Sequence, residues 1–278
     1  MAAPIPAAVP NNDAVFKSAM AIHSLTLALK SPRISILVFF SLFQPIIFLL
    51  LFTQLFSGLG RFLGGGILSY TAFATAGIVL QNAFSSAFQS GTAVVDDIKS
   101  GFLSKMLATP VNRSAILFGR LLSDVFRVVV QTVIILVLAY ALGVYPATGP
   151  VGYLLVIFTV AFFGLAWSGI SLALGLKTKS AETVFGIAGA VTFPLLFMST
   201  ALVTAGFMPT WMQDVSTYNP VSIAVNAIRN PITGCNVNQT ICNVGFDWNT
   251  ILQAYGVIAA IGLVTLGATL YLFRKVVS

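Results

Sequence analysis

Charge is what this sequence has least of. Asp, Glu, Lys and Arg make up only 8% of its 278 residues, against roughly a quarter in an ordinary soluble domain. Hydrophobic residues make up 58%, and the mean hydropathy is +0.97. Such a chain has too little polar surface for a water-soluble globule, so it reads as an integral membrane protein. Histidine is nearly absent: His23 stands alone, and a lone imidazole makes neither a metal site nor a catalytic triad. No G-x-x-x-x-G-K-[ST] loop occurs, the pattern whose backbone amides and lysine hold nucleotide phosphates. The glycine-rich "GRFLGGGILS" has no lysine where phosphates need one. Any ATP used must therefore be handled by another polypeptide, and no cofactor or metal is expected on this chain.

What is abundant is long apolar runs. A helix needs about 20 mostly apolar residues to cross a bilayer core of about 30 Å. Six stretches qualify, near 34–56, 69–93, 121–144, 151–175, 183–204 and 251–273. The opening "MAAPIPAAVPNND" lacks the basic start and short apolar core of a secretory signal, so the first span is expected to stay in place. Lys and Arg accumulate on the cytoplasmic side of membrane proteins. With the N-terminus inside, that side holds Lys17, Lys30, Arg33, Lys99, Lys105, Arg113, Arg120, Arg127, Lys177, Lys179, Arg274 and Lys275. Only Arg61 and Arg229 fall outside, so both termini are expected to be cytoplasmic, in the cell membrane. The net charge of +7 is then a topological signal, and no nucleic-acid partner is expected.

Within the spans, ionisable groups are nearly missing. Proton- or sodium-coupled carriers keep carboxylates or histidines inside the bilayer. Asp124 is the nearest candidate, in the first turn of the third span, with Arg120 and Arg127 four residues before and three after it. It is either a coupling carboxylate or part of an interfacial ion-pair cluster. Gln44-Pro45 and Pro194 are expected to kink the first and fifth spans.

Between and before the spans lie shorter elements. Residues 1–12 are Pro- and Ala-rich and expected to be disordered, and 13–278 form one domain. Over 14–30, Val15, Phe16, Ala19, Ile22, Leu25 and Leu29 recur near helical spacing, which suits a helix lying on the inner surface. In the second cytoplasmic loop, Ile98, Phe102, Leu103, Met106 and Leu107 form one apolar face of a helix over about 97–109, closed by Pro110. It either floats on the leaflet or docks into a groove on a soluble partner. The segment 205–250 is too broken to cross. "PTWMQDVSTY" and "PVSIAVNAIR" read as two short re-entrant helices with Trp211, Tyr218 and Trp248 at headgroup level. Such a cap needs protein around it. Cys235 and Cys242 in the last external loop are either bridged or two free thiols.

The second loop, "GFLSKMLATPVNRSAILFGR", resembles the permease subunits of type-two ATP-binding-cassette exporters, especially the daunorubicin-resistance-like branch. The matching positions are Gly101, Leu107, Thr109, Pro110, Arg113, Gly119 and Arg120. A second match is "MPTWMQDVSTYNPVSIAVNAIR", through Pro209, Trp211, Asn219, Pro220, Ala224 and Arg229. The resemblance runs from the interfacial helix to the C-terminus. It implies an all-α polytopic membrane protein: six transmembrane helices, an N-terminal interfacial helix, a cytoplasmic coupling helix and external re-entrant helices. It also implies that Ile98, Phe102, Leu103, Lys105, Met106, Leu107, Pro110 and Arg113 contact a separate ABC ATPase subunit, which holds ATP and Mg. Trp211, Asn219, Pro220 and Arg229 would belong to an external cap over a path between two permeases, identical or paralogous, for an amphipathic drug, lipid or lipid-linked substrate.

For that path the sequence offers Gln81, Asn82, Ser85, Ser86 and Gln89, polar residues at helical spacing in the second span. They are costly against lipid. They line an aqueous path or hydrogen-bond between helices. The rival function is an ATP-independent channel or secondary carrier for a small solute, which would call for intramembrane charges, inverted repeats or a filter motif.

Overall fold

The computed structural model describes residues 32–55, 70–103, 113–236, 243–244 and 246–277. Over these the chain is helical, with eight α-helices: α1 Pro32–Leu55, α2 Tyr70–Lys99, α3 Arg113–Ala141, α4 Pro150–Thr178, α5 Ala181–Phe197, α6 Thr210–Tyr218, α7 Pro220–Thr233 and α8 Trp248–Val277. One 3-10 turn, Ala205–Phe207, precedes α6. A two-residue antiparallel pair, β1 (Cys235–Asn236) with β2 (Asn243–Val244), lies between α7 and α8. The interfacial helix expected over 14–30 and the disorder expected over 1–12 lie outside the described residues.

Among the described residues, three helical segments are long and apolar enough to cross a bilayer: Ile116–Ala141, Pro150–Thr178 and Trp248–Phe273. Phe43–Leu55 and Ala181–Phe197 are apolar but shorter. The 17 residues of α5 rise about 25 Å, less than the expected span over 183–204, because the chain turns at Met198. The second expected span is a different case. α2 is 30 residues long and runs on to Lys99, but it carries too many polar residues to pass as a lipid-facing helix. It packs against α1, α3, α4, α5 and α7 and buries most of its length. The most polar long helix is thus the centre of the bundle, while α3, α4 and α8 turn Phe118, Phe158 and Leu263 outward, as lipid-facing helices do. Pro45 and Pro194 both lie inside continuous helices.

Local signals set the helix ends. Gly149 takes a left-handed φ of 66° just before Pro150 opens α4, and Lys179, at φ 52°, closes it with its amide on the Gly175 carbonyl. Ser180 caps α5 by accepting from the Thr183 amide. Asp247 does the same for α8, accepting from the Asn249 amide at 2.9 Å and the Thr250 hydroxyl at 2.8 Å. Those two donors, the Asn249 amide first, hold the Asp247 carboxyl below its ordinary pKa. Its contribution is therefore present above the usual carboxylate range and lost as the pH falls through the lowered value.

The helices approach closely through small residues, as in membrane bundles generally. At the crossing of α2 and α4, the Gly91 amide donates to the Ser171 hydroxyl at 3.1 Å, and that hydroxyl donates to the Phe88 carbonyl at 3.1 Å. Thr265 and Thr269 of α8 donate to the carbonyls of Ala166 and Gly169 on α4, at 2.9 and 2.7 Å. Further along α2, Phe84 meets Phe163 and Trp167 edge to face, with centroids 4.9 and 4.8 Å apart.

Candidate functional site

Three arrangements along α2 bear on function. The first is a charged end. Asp97, near the last turn of α2, pairs with Arg120 of α3. One helical turn deeper, Asp124 is buried between the two helices. It accepts a hydrogen bond from the Ser90 hydroxyl and pairs with Arg127 at 3.2 Å. Arg127 also donates to the Ser86 hydroxyl and carbonyl, at 3.1 and 2.9 Å. The sequence spacing anticipates the Asp124–Arg127 pair. It misses that Arg120 salt-bridges to Asp97, because that partner lies on another helix.

Beyond Lys99 the chain does not continue as one helix. Gly101 adopts a left-handed φ of 70°, which breaks the unbroken apolar face expected over 97–109. Leu103 turns inward onto Leu117, Leu121 and Leu176, with Ile98 beside them, whereas Phe102 points outward and is 42% exposed. Lys105, Met106, Leu107 and Pro110, and the side chain of Arg113, lie outside the described residues.

The second arrangement is a capped end. α7 presents Asn219, Ser222, Asn226 and Arg229, spaced i, i+3, i+7 and i+10, to the turn that follows α5. Asn219 donates to the carbonyls of Leu195 and Met198 at 2.7 and 3.2 Å. Ser222 accepts from the Thr200 amide at 3.1 Å, and Arg229 donates to the Thr200 and Ala201 carbonyls at 2.8 and 3.4 Å. Helix ends leave carbonyls without intrahelical partners, and this polar stripe satisfies the ones at the end of α5. Arg229, expected on a short cap helix that needs protein around it, lies on α7 and is 1% exposed, with its guanidinium 3.7 Å from the centroid of the Phe73 ring. Trp211 is exposed, as a headgroup-level residue is, while Asn219 is buried and Pro220 half-buried.

The signal for the stripe in the sequence is four polar residues on one face of an otherwise apolar helix. Arg229→Met tests it. The Thr200 and Ala201 carbonyls then lose their donor, at about 1 kcal/mol or more each. The two carbonyls, the Asn226 side chain and the Phe73 face offset the burial of the cation, although its Nε has no hydrogen-bond partner among the described residues. Thermal unfolding is expected to show a loss of about 2 kcal/mol, and an unchanged transition would mean that the desolvation term dominates.

The third arrangement is a pocket of about 270 Å³ between α1, α2 and the end of α5, roofed by the turn that Arg229 holds. The expected path residues divide around it. Gln81 lines the pocket. Asn82 is buried and donates to Gln131 of α3 at 3.3 Å. Ser86 is held by Arg127, Ser85 is exposed, and Gln89 is half-buried. The polar run thus contains one pocket residue and two helix-to-helix contacts. Cys242 and the side chain of Cys235 lie outside the described residues. Among the described residues, no three His, Cys, Asp or Glu side chains are grouped as a metal site requires.

The model of the ABC-2 type transporter family matches residues 27–232. The chain belongs to the ABC-2 type transporter family. It is a multi-pass membrane protein and an ABC transporter permease by relationship. It is 34% identical over 191 residues to the daunorubicin resistance ABC transporter permease protein DrrB1 of Streptomyces coeruleorubidus. That match covers 69% of this chain and 66% of the relative, just under two thirds of its length. It is 29% identical to ycf38 of Pyropia yezoensis, a provisionally named transport permease, across 82% of this chain and 78% of that one. To the doxorubicin resistance permease DrrC of Mycobacterium tuberculosis it is 28% identical, over 53% of this chain and 54% of that one. The ABC-2 match contains α2, the charged end, the pocket and the Asn219–Arg229 stripe.

Proposed function

We propose that this chain is the membrane subunit of an ATP-driven exporter, moving an amphipathic drug, lipid or lipid-linked molecule out across the cell membrane. The family match over residues 27–232 carries the reading. Two relatives named for daunorubicin and doxorubicin resistance support a drug-like cargo. ATP and Mg belong to a separate ABC ATPase subunit, in keeping with the absence of a phosphate-binding loop from the sequence. In this reading the chain crosses the membrane six times with both termini cytoplasmic. A second permease, identical or paralogous, completes a path that six spans are too few to enclose.

The break at Gly101 suggests how force reaches the membrane. Phe102 offers an exposed aromatic knob to the ATPase, while its neighbour Leu103 is packed on α3 and α4. A push on Phe102 is carried through Leu103 to those helices, and the Asp97–Arg120 pair ties the same point to α2. α2 runs from there to Gln81 at the pocket.

The test is Phe102→Asp. An exposed side chain can be replaced without disturbing the core, so the bundle is expected to fold with an unchanged melting temperature. A buried aromatic anchor at an interface contributes about 2 kcal/mol or more. ATPase co-purifying with the variant, and ATP-driven transport in proteoliposomes, are therefore expected to fall by about tenfold or more. Normal ATP-driven transport by Phe102→Asp would overturn the docking assignment.

A further inference from the structure

The pocket has an unusual wall. Six phenylalanines line it: Phe48, Phe52, Phe73, Phe193, Phe197 and Phe207. They come from α1, α2, α5 and the 3-10 turn, so the rings converge from separate elements rather than lying along one helix. Gln81 is set among them, and among the described residues its amide makes no hydrogen bond. The half-buried amide therefore keeps its hydrogen-bonding capacity at the pocket, and a ligand carbonyl or hydroxyl placed there would engage it. None of the six described acidic residues lines the pocket: Asp96, Asp97 and Asp124 are at the charged end, Glu182 opens α5, Asp214 is on α6 and Asp247 precedes α8. Among the described residues, the formal charge in contact with a lining ring is a cation. Arg229 lies against the Phe73 ring with no carboxylate partner among the described residues.

We infer that this pocket binds an electrically neutral, compact aromatic molecule bearing a carbonyl or hydroxyl group, with its rings among the phenylalanines and its polar atom on the Gln81 amide. Aromatic rings favour offset and edge-to-face partners, which walls from several directions supply. The volume of about 270 Å³ lies near the lower end for small-molecule sites and suits a compact molecule of one or two rings. A cationic ligand is disfavoured. The Phe73 ring already faces one guanidinium, and a second positive charge would meet Arg229 across a low-dielectric wall without an acidic side chain to offset it. The inference deepens the exporter reading, and rests on it only for the statement that such a molecule is cargo.

The test uses benzophenone, a neutral diaryl ketone that inserts into nearby C–H bonds under ultraviolet light, and its 4-(trimethylammoniomethyl) derivative as the cationic match. The full chain in lipid nanodiscs is labelled and the sites are located by peptide mass spectrometry. Saturable labelling is expected in the segment 193–207, displaced by excess diphenylmethanol. Gln81→Leu is expected to lower it by about fivefold, the worth of one hydrogen bond. Phe193→Ala, which truncates an exposed side chain and leaves the core intact, is expected to weaken it as well. The cationic ketone is expected to label the segment about tenfold less. Labelling that does not saturate and spreads over lipid-facing residues such as Phe158, labelling unchanged by both variants, or equal labelling by the cation would overturn the inference. No ATP or partner subunit is needed, so a negative result leaves the exporter reading standing, and a failure of ATP-driven transport leaves this site standing.

Discussion

Asp124→Ala is expected to cost about 3 kcal/mol of folding stability, the low end of what removing one partner of a buried ion pair does. The carboxylate sits between α2 and α3 with its side chain 10% exposed, and Arg127, its partner at 3.2 Å, is 27% exposed. With Asp124 gone, Arg127 retains only the Ser86 hydroxyl and carbonyl, two neutral acceptors for a full charge, and Ser90 loses its acceptor. For a chain of this size the apparent melting temperature should fall by roughly 6 to 12 °C. The double variant Asp124→Ala with Arg127→Leu removes the stranded charge and is expected to recover part of the loss, a positive coupling in a double-mutant cycle. A single variant as stable as the parent would mean that water reaches Arg127 freely and that the pair does not hold α2 to α3.

Gly175→Leu is expected to destabilise by a similar amount, about 3 kcal/mol, for a steric reason. A Cβ at position 175 would lie 2.5 Å from the Gly91 carbonyl oxygen and 3.1 Å from a Val94 methyl. The first neighbour is backbone of α2 and cannot rotate away, so α2 and α4 must separate. That separation would also stretch the Gly91 to Ser171 hydrogen bond at the same crossing. Gly267→Ala is the matched control, since a Cβ there meets nothing within 4 Å and alanine favours helix. Differential scanning in detergent should show a large fall for the first and none for the second. Equal melting temperatures would mean that the two helices do not cross as closely as described.

Both predictions concern α2, a helix that the sequence places near 69–93 but whose position at the centre of the bundle it does not show. Its hydropathy is diluted by Gln81, Asn82, Ser86, Ser90 and other polar residues, and a one-dimensional window cannot tell a polar helix at a bundle centre from one facing water. What was legible rested on local rules. Pro209 and Pro220 each precede or open a short helix, and α6 and α7 begin there. The run Pro150–Thr178 has neither a charge nor a break before Lys177, and it forms a single helix. Asp124 and Arg127 are three residues apart on one helix and pair. The missed features depend on contacts distant in sequence. Asp97 reaches Arg120 across 23 residues, and Arg229 reaches Thr200 across 29. The sequence places Arg229 on a short cap helix away from the cytoplasmic side but does not show what surrounds its charge, which apolar interiors normally expel. The fold retains it by supplying the backbone carbonyls of a helix end and an aromatic face. The break after Lys99 was missed because Gly101 was counted within the expected helix, although a glycine two residues past a helical run is a common helix stop.

The charged end, α2 and the pocket form one continuous line through the bundle. Phe102 and Asp97 are at one end, the Phe84–Phe163–Trp167 aromatic contacts lie along the middle, and Gln81 and the turn held by Arg229 are at the other.

The central claim is that this permease is driven by a separate ATPase. Its most direct test is to purify the tagged full chain from its native membrane in mild detergent, identify what accompanies it by mass spectrometry, and reconstitute the product. The account predicts a stoichiometric ABC ATPase and transport that requires ATP and stops in Phe102→Asp. A chain isolated repeatedly on its own, stable, and moving solute without ATP would contradict it.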